Sequence, residues 1–156
     1  MVIPNCPGPA PFPGPDFLRA VATYLDRRRT VGTELHVVGP KYTRVSVHAR
    51  LHVLFPDDTS GAAARARDAL ARFFNPLLGG PDNVGWPVGR PVYRAEVMAL
   101  LAGLSGVAHV DRLGIFGPGD REPRCENLGV CADGLVESGD HAIEVVSLSS
   151  SRSISR

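Results

Sequence analysis

The chain has 156 residues, a formal charge of +1, 44% hydrophobic residues and 21% charged residues, proportions that suit one globular domain with a core of its own. That balance gives no electrostatic ground for binding nucleic acid or an anionic membrane, and no apolar run approaches the roughly 20 residues of a membrane-spanning helix. Three cysteines, Cys6, Cys125 and Cys131, are too few and too odd for a secreted disulfide framework, and no signal-peptide pattern is visible, so synthesis in a reducing cytosol is expected.

Residues 1–15 contain NCPGPAPFPGP, a polyproline-like lead-in without a core of its own. Pro15-Asp16 is a helix start. From Asp16 to Arg29 the residues Phe17, Leu18, Val21, Tyr24 and Leu25 recur at helical spacing. Arg27, Arg28 and Arg29 are expected to close that helix, where cations favour the C-terminal dipole. After a turn at Thr30–Thr33, Glu34 to Val38 reads as a short strand stopped by Gly39-Pro40.

The clearest strand follows. Thr43, Val45, Val47, Ala49, Leu51, Val53 and Phe55 alternate with Arg44, Ser46, His48, Arg50 and His52, which predicts one buried and one polar face. At roughly 3.3 Å per residue it would span about 40 Å, long enough to bend or carry a bulge. Asp57, Asp58, Thr59 and Ser60 are N-cap candidates for the helix GAAARARDALARFF, whose buried stripe would be Ala66, Leu70, Phe73 and Phe74. Asn75-Pro76 ends it.

A glycine- and proline-rich loop, Gly79 to Tyr93, comes next; it holds the only tryptophan. Long breaker-rich loops inside a domain are usually functional or tightly packed. Arg90-Pro91 is expected to open another helix with Tyr93, Val97, Leu100, Leu101 and Leu104 inward, and Gly103 and Gly106 are candidate stops. Val107–Phe116 reads as a strand, 117–124 as a polar turn, and His141–Leu148 as a last strand. SSSRSISR, residues 149–156, reads as a mobile tail. The predicted order is helix, strand, strand, helix, helix, strand, strand. This is an α+β fold, with a small mixed or antiparallel sheet and helices packed mainly on one face, in a single domain over residues 16–148.

Several local patterns then carry a resemblance. Leu25-Asp26-Arg27-Arg28-Arg29 precedes Gly39-Pro40-Lys41-Tyr42. A helix ends in Phe73-x-x-Pro76-Leu77-x-Gly79-Gly80. Gly85-Trp86-Pro87-x-Gly89-Arg90-x-Val92-Tyr93 follows, then Gly106-Val107-x-x-Val110-Asp111, Cys125-Glu126-Asn127-Leu128 and Ser138-Gly139-Asp140-His141. This ordered series, across roughly residues 10 to 147, resembles the C-terminal region of J-type baseplate assembly proteins of contractile phage tails and phage-tail-like contractile injection systems. Family members usually carry several hundred residues before this region, so the chain resembles a fragment, a truncated gene product or a split subunit.

The resemblance implies a structural wedge component that mediates subunit contacts around the central spike. Its partners would be other wedge subunits, itself, or spike or sheath-proximal proteins, within a large ring-shaped assembly. Such a chain would be made in the cytoplasm and assembled into a tail or injection particle. The alternative is a stand-alone protein-binding module derived from a baseplate gene.

No enzyme, cofactor or metal is expected. His48 and His52 share a strand face but lie roughly 13 Å apart at strand spacing. Cys125 and Cys131 lack the closer pairs zinc favours, although a disulfide between them stays open. No nucleophile elbow or phosphate loop is present. Two compatible readings stand for the Trp86 loop: Trp86 packs over the helices, with Arg90 bonding loop carbonyls, and part of the loop docks a neighbouring subunit, since Trp, Tyr and Arg are enriched in interface hot spots. The interface candidates are Trp86, Arg90, Tyr93, Arg27, Arg28 and Tyr42.

Overall fold

Strand alternation places Val45, Val47, Ala49, Leu51 and Val53 on one side of a 13-residue strand, Lys41–Val53, and all five are buried. This strand, β1, is the axis of the fold. The structure, a computed structural model, describes residues 1–6, 8–54 and 59–148. Phe55, Asp57 and Asp58 lie outside the described residues, as does the tail 149–156.

In chain order the elements are α1 (Pro15–Asp26), β1, α2 (Thr59–Phe73), α3 (Arg94–Ala102), β2 (Val107–Phe116), β3 (Gly134–Ser138) and β4 (Ala142–Ser147). β2 pairs antiparallel with β1, and its register shifts at Arg50/Leu51 and at His52/Val53. The irregularity expected of so long a strand is therefore present. On the other side of β1, β3 runs parallel along Lys41–Val45 and β4 runs parallel along His48–Val53. The sheet is mixed and the fold is α+β, as expected.

β3 and β4 act as one strand with an extra residue between them. Lys41 pairs with Gly134, whereas His48 pairs with Ala142. At this bulge the Gly139 N–H donates to the Val45 carbonyl at 2.8 Å. A Cβ on Gly139 would fall 2.5 Å from Ser46 Oγ. The Val47 N–H donates to His141 Nδ1 at 3.1 Å, so the imidazole replaces a missing backbone acceptor. Its Nε2, left with the proton, donates to Ser138 Oγ at 2.9 Å. Burial pulls the His141 pKa down to about 4, against the help of Asp140, and the ring stacks near Phe74 with 5.9 Å between centroids.

α2 packs on β4 and α3 on β2, and the two helices meet over the buried face of β1. The expected α2 stripe, Ala66, Leu70, Phe73 and Phe74, is buried. Thr59 and Ser60, expected as caps, already lie inside the helix.

Four expectations are corrected. Glu34–Val38 is extended but is not a strand; within it Val38 only accepts the Val2 N–H at 2.9 Å. β3 was not expected: it is five residues long, and its parallel pairing to β1 comes from distant sequence. α3 starts at Arg94, because residues 90–93 are extended and Val92 bridges Leu128. Tyr93 is therefore the N-cap and is exposed, not inward. α1 ends at Asp26, and Arg27–Arg29 form the turn after it.

The lead-in does meet the core. Ile3 packs against it, Pro11 and Pro13 are buried, and Tyr42 Oη donates to the Pro11 carbonyl at 2.8 Å.

Candidate interaction surfaces

Two regions stand apart from the sheet and its helices. The first is the loop Gly79–Tyr93. It leaves α2 through Asn75, whose Oδ1 accepts the N–H groups of Leu77 and Leu78, both at 2.9 Å. The chain then folds back on the helix end. Gly80 N–H donates to Phe73 O at 2.8 Å, Gly85 N–H to Gly79 O at 2.9 Å, and Trp86 N–H to Pro76 O at 3.0 Å. Gly79 permits the close approach: a Cβ there would lie 2.3 Å from Arg72 O and 2.4 Å from Phe73 O. Gly85 has φ +105 and a Cβ there would meet Leu77 O at 2.9 Å, so a side chain is excluded twice over.

Trp86 is only 3% exposed. Its ring meets Phe73 edge-on at 5.5 Å and Phe74 at 6.0 Å, arrangements favoured by the aromatic quadrupole. Its Nε1–H donates to the Arg90 carbonyl at 3.0 Å. Arg90 was expected to bond loop carbonyls with its guanidinium. Instead the guanidinium makes a bidentate pair with Glu96, at 2.6 and 2.9 Å, and that carboxylate is the main reason its pKa is raised. The same group lies 4.9 Å from the Tyr93 ring centroid and 5.5 Å from the Trp86 ring, within cation–π range. Trp86, Arg90 and Tyr93 thus form one stack.

Of these candidates, Trp86 is withdrawn from direct contact by its burial. Tyr93 offers an open edge, at 38% exposure. The aliphatic residues displayed here are ones that sequence reasoning passed over: Val84 and Val88 in the loop and Leu78 just before it, each more than half exposed. Their sequence signal is slight: aliphatics at 78, 84 and 88 set among glycines, prolines and polar residues, with the fold deciding that they face outward. The loop is tied to the far end of the chain as well, through Gly89 N–H to Gly134 O at 2.8 Å and reciprocal Val92–Leu128 bonds at 2.8 and 3.0 Å.

The second region is an arm, residues 14–39. Its ends meet, since a Cβ on Gly39 would lie 3.1 Å from Pro13 Cγ and 3.3 Å from the Phe12 ring. Between them α1 runs out and residues 34–40 return. No residue of α1 is buried, and no other helix or strand packs substantially on it. Phe17, Tyr24 and Leu25 are exposed, and Leu18 and Val21 are half-buried. Asp16 pairs with Arg19 and Asp26 with Arg29, each at 2.6 Å. Arg28 covers the Tyr24 ring at 3.8 Å and donates to Tyr24 O. Arg27 is exposed, without an acidic partner among the described residues. Tyr42, the remaining candidate, is half-buried where the lead-in joins β1.

Other polar groups serve the frame. Arg124 and the Gly117 N–H hold the Asp120 pKa down at about 2 and fix the turn after β2. Lys41 and Asp133 pair at 2.6 Å at the start of β3. His48 is exposed, while His52 stacks on His109 with 4.2 Å between centroids. Cys6, Cys125 and Cys131 are free and exposed. Among the described residues no three His, Cys, Asp or Glu converge as a metal site, and no helix is long and apolar enough to cross a membrane. A groove of about 810 Å³ between the lead-in and α2 is lined by Gly8, Pro9, Asp68, Arg72, Leu78 and Ser138, among others.

Comparison with known proteins adds no family. No protein-family model matches the chain, and a search of curated proteins finds no match.

Proposed function

We propose that the chain is a non-enzymatic structural subunit of the baseplate of a contractile phage tail or contractile injection particle, acting through contacts with neighbouring wedge subunits. One observation carries the reading. Motif residues of the baseplate-like series, Gly79, Gly80, Gly85, Trp86 and Arg90, are spent on building a rigid loop, while Leu78, Val84 and Val88 beside them point outward. Such a loop suits a preformed docking surface, which loses little entropy when a partner arrives. Its chemistry is apolar display, with the Arg90–Glu96 pair locked into the frame.

The test is a pull-down of the tagged full chain from its native producer. Recovery of sheath, tube, spike or other wedge subunits is the expected result. Recovery of none of them, from cells that make such particles, would overturn the reading in favour of a stand-alone binding module.

A further inference from the structure

The outer strands of the sheet are finished unequally. β2 carries two register shifts; Arg94 Nη2 donates to its Leu113 carbonyl at 3.3 Å, and the Arg124 N–H donates to its Ile115 carbonyl at 2.9 Å. At the start of β3 the Gly134 carbonyl accepts the Gly89 N–H at 2.8 Å. β4 has none of this. Among the described residues its only strand partner is β1, its register is unbroken, and it holds no proline or lysine. Bulges, prolines, lysines and covering segments are the usual ways an edge is kept from pairing with another chain.

The register identifies the bare groups. The Gly139 N–H donates to the Val45 carbonyl and the Val47 N–H donates to His141, so the odd-numbered residues of β1 turn their backbone groups toward β3 and β4. Ala49 pairs with Ile143 and Leu51 with Val145. In a parallel ladder such a residue bonds the neighbours of its partner, here Ala142, Glu144 and Val146. The N–H and C=O of Ile143 and Val145 therefore point away from β1, and no other hydrogen bond reaches them among the described residues.

Charge states what would pair there. A groove of about 610 Å³ opens at this edge, lined by Ala142, Ile143 and Glu144 and by three arginines, Arg50 of β1, Arg67 of α2 and Arg112 of β2. Its one carboxylate, Glu144, is engaged by Arg50 at 2.8 Å. Arg67 and Arg112 are exposed and make no ion pair among the described residues. We infer that β4 accepts an added strand: an extended segment of a partner protein whose backbone bonds Ile143 and Val145 and whose carboxylates are held by Arg67 and Arg112. Main-chain bonds supply affinity in such strand addition, and side-chain pockets supply specificity. The β4 strand of a second copy is the poorer occupant, because its only acidic residue is Glu144, already held by Arg50.

The inference stands on the β4 edge and does not require the baseplate reading. Its test is amide hydrogen exchange on the full chain, read by NMR, with the synthetic peptide TVEVTVEVT as probe and the same peptide with lysine for glutamate as control. In the chain alone, the Ala142, Glu144 and Val146 amides are expected to be protected and those of Ile143 and Val145 open. The acidic peptide is expected to slow exchange at Ile143 and Val145 at least tenfold, and the lysine peptide to leave it unchanged. Arg67→Gln with Arg112→Gln is expected to weaken peptide binding at least tenfold and to flatten its salt dependence, with thermal melts unchanged. Val145→Pro deletes an outward N–H, which an edge strand tolerates, and is expected to abolish peptide binding in a chain that still folds.

Unchanged exchange at both amides under the highest peptide concentration would overturn the inference, as would equal binding of the lysine peptide. Slowing that appears without peptide and grows with protein concentration would assign the edge to a second copy instead. A chain that recovers wedge subunits in the pull-down while its edge stays open to exchange would sink the added strand and leave the baseplate reading standing. Peptide binding at the edge without those subunits would do the reverse.

Discussion

The loop from Gly79 to Tyr93 contains four glycines and three prolines, yet it buries Trp86 and bonds its backbone to α2 and to the start of β3. Helix α1 has a regular apolar stripe and buries no residue. Chain breakers here produce the more rigid element, because glycines at Gly79 and Gly85 let backbone groups approach where a Cβ could not fit. A helical period states which residues share a face. It does not state that anything covers that face. Irregular backbone and order are compatible whenever the hydrogen bonds are accounted for.

The largest expected effect lies on the loop side of this contrast. Trp86→Ala removes two aromatic contacts and a buried N–H bond, and is expected to cost about 4 kcal/mol. That would lower the Tm by roughly 10 °C in a calorimetric scan. An unchanged Tm would mean the loop is held by its backbone alone.

Next is the pH dependence set by His141. Its pKa in the folded chain is about 4, against an ordinary value near 6.5 once unfolded. The neutral ring's contribution is complete above pH 6.5 and is lost as pH falls from 6.5 toward 4, amounting to up to about 3 kcal/mol. Urea titrations across that window should show the loss. A His141→Asn variant should be less stable at neutral pH and show a shallower slope between pH 6.5 and 4.

Gly79→Ala comes third, at about 2 kcal/mol, since its Cβ would press on the carbonyls of Arg72 and Phe73. The smallest effect belongs to the arm. Tyr24→Ser should shift stability by no more than about 0.5 kcal/mol, because the ring is 57% exposed. A large loss there would show that α1 supports the body after all.

The same contrast explains what was legible from sequence. β1 and β2 were readable because local alternation, turn residues and burial agree, and β2 has the expected bounds, Val107–Phe116. α2 was readable because its small and large apolar residues fall on one stripe. Glu34–Val38 looked like a strand because composition cannot say whether a neighbour offers a free edge. β3 was missed because its partner, Lys41–Val45, lies more than 90 residues away. Among the site residues, the expected packing of Trp86 is present in its burial against Phe73 and Phe74. The role of Arg90 was inverted: its carbonyl serves Trp86, while its guanidinium turns to Glu96. No local pattern gives that direction, since the choice depends on where α3 begins.

The join between Pro13 and Gly39 has one more consequence. An excursion of two dozen residues leaves and re-enters the body at a single point, so its length and sequence are decoupled from the sheet's geometry. Insertions, deletions or a foreign hairpin spliced between those positions would change what the molecule meets without disturbing how it folds. In evolutionary terms such an arm would serve as an interchangeable cassette, and a lineage could acquire new neighbours by rewriting it alone.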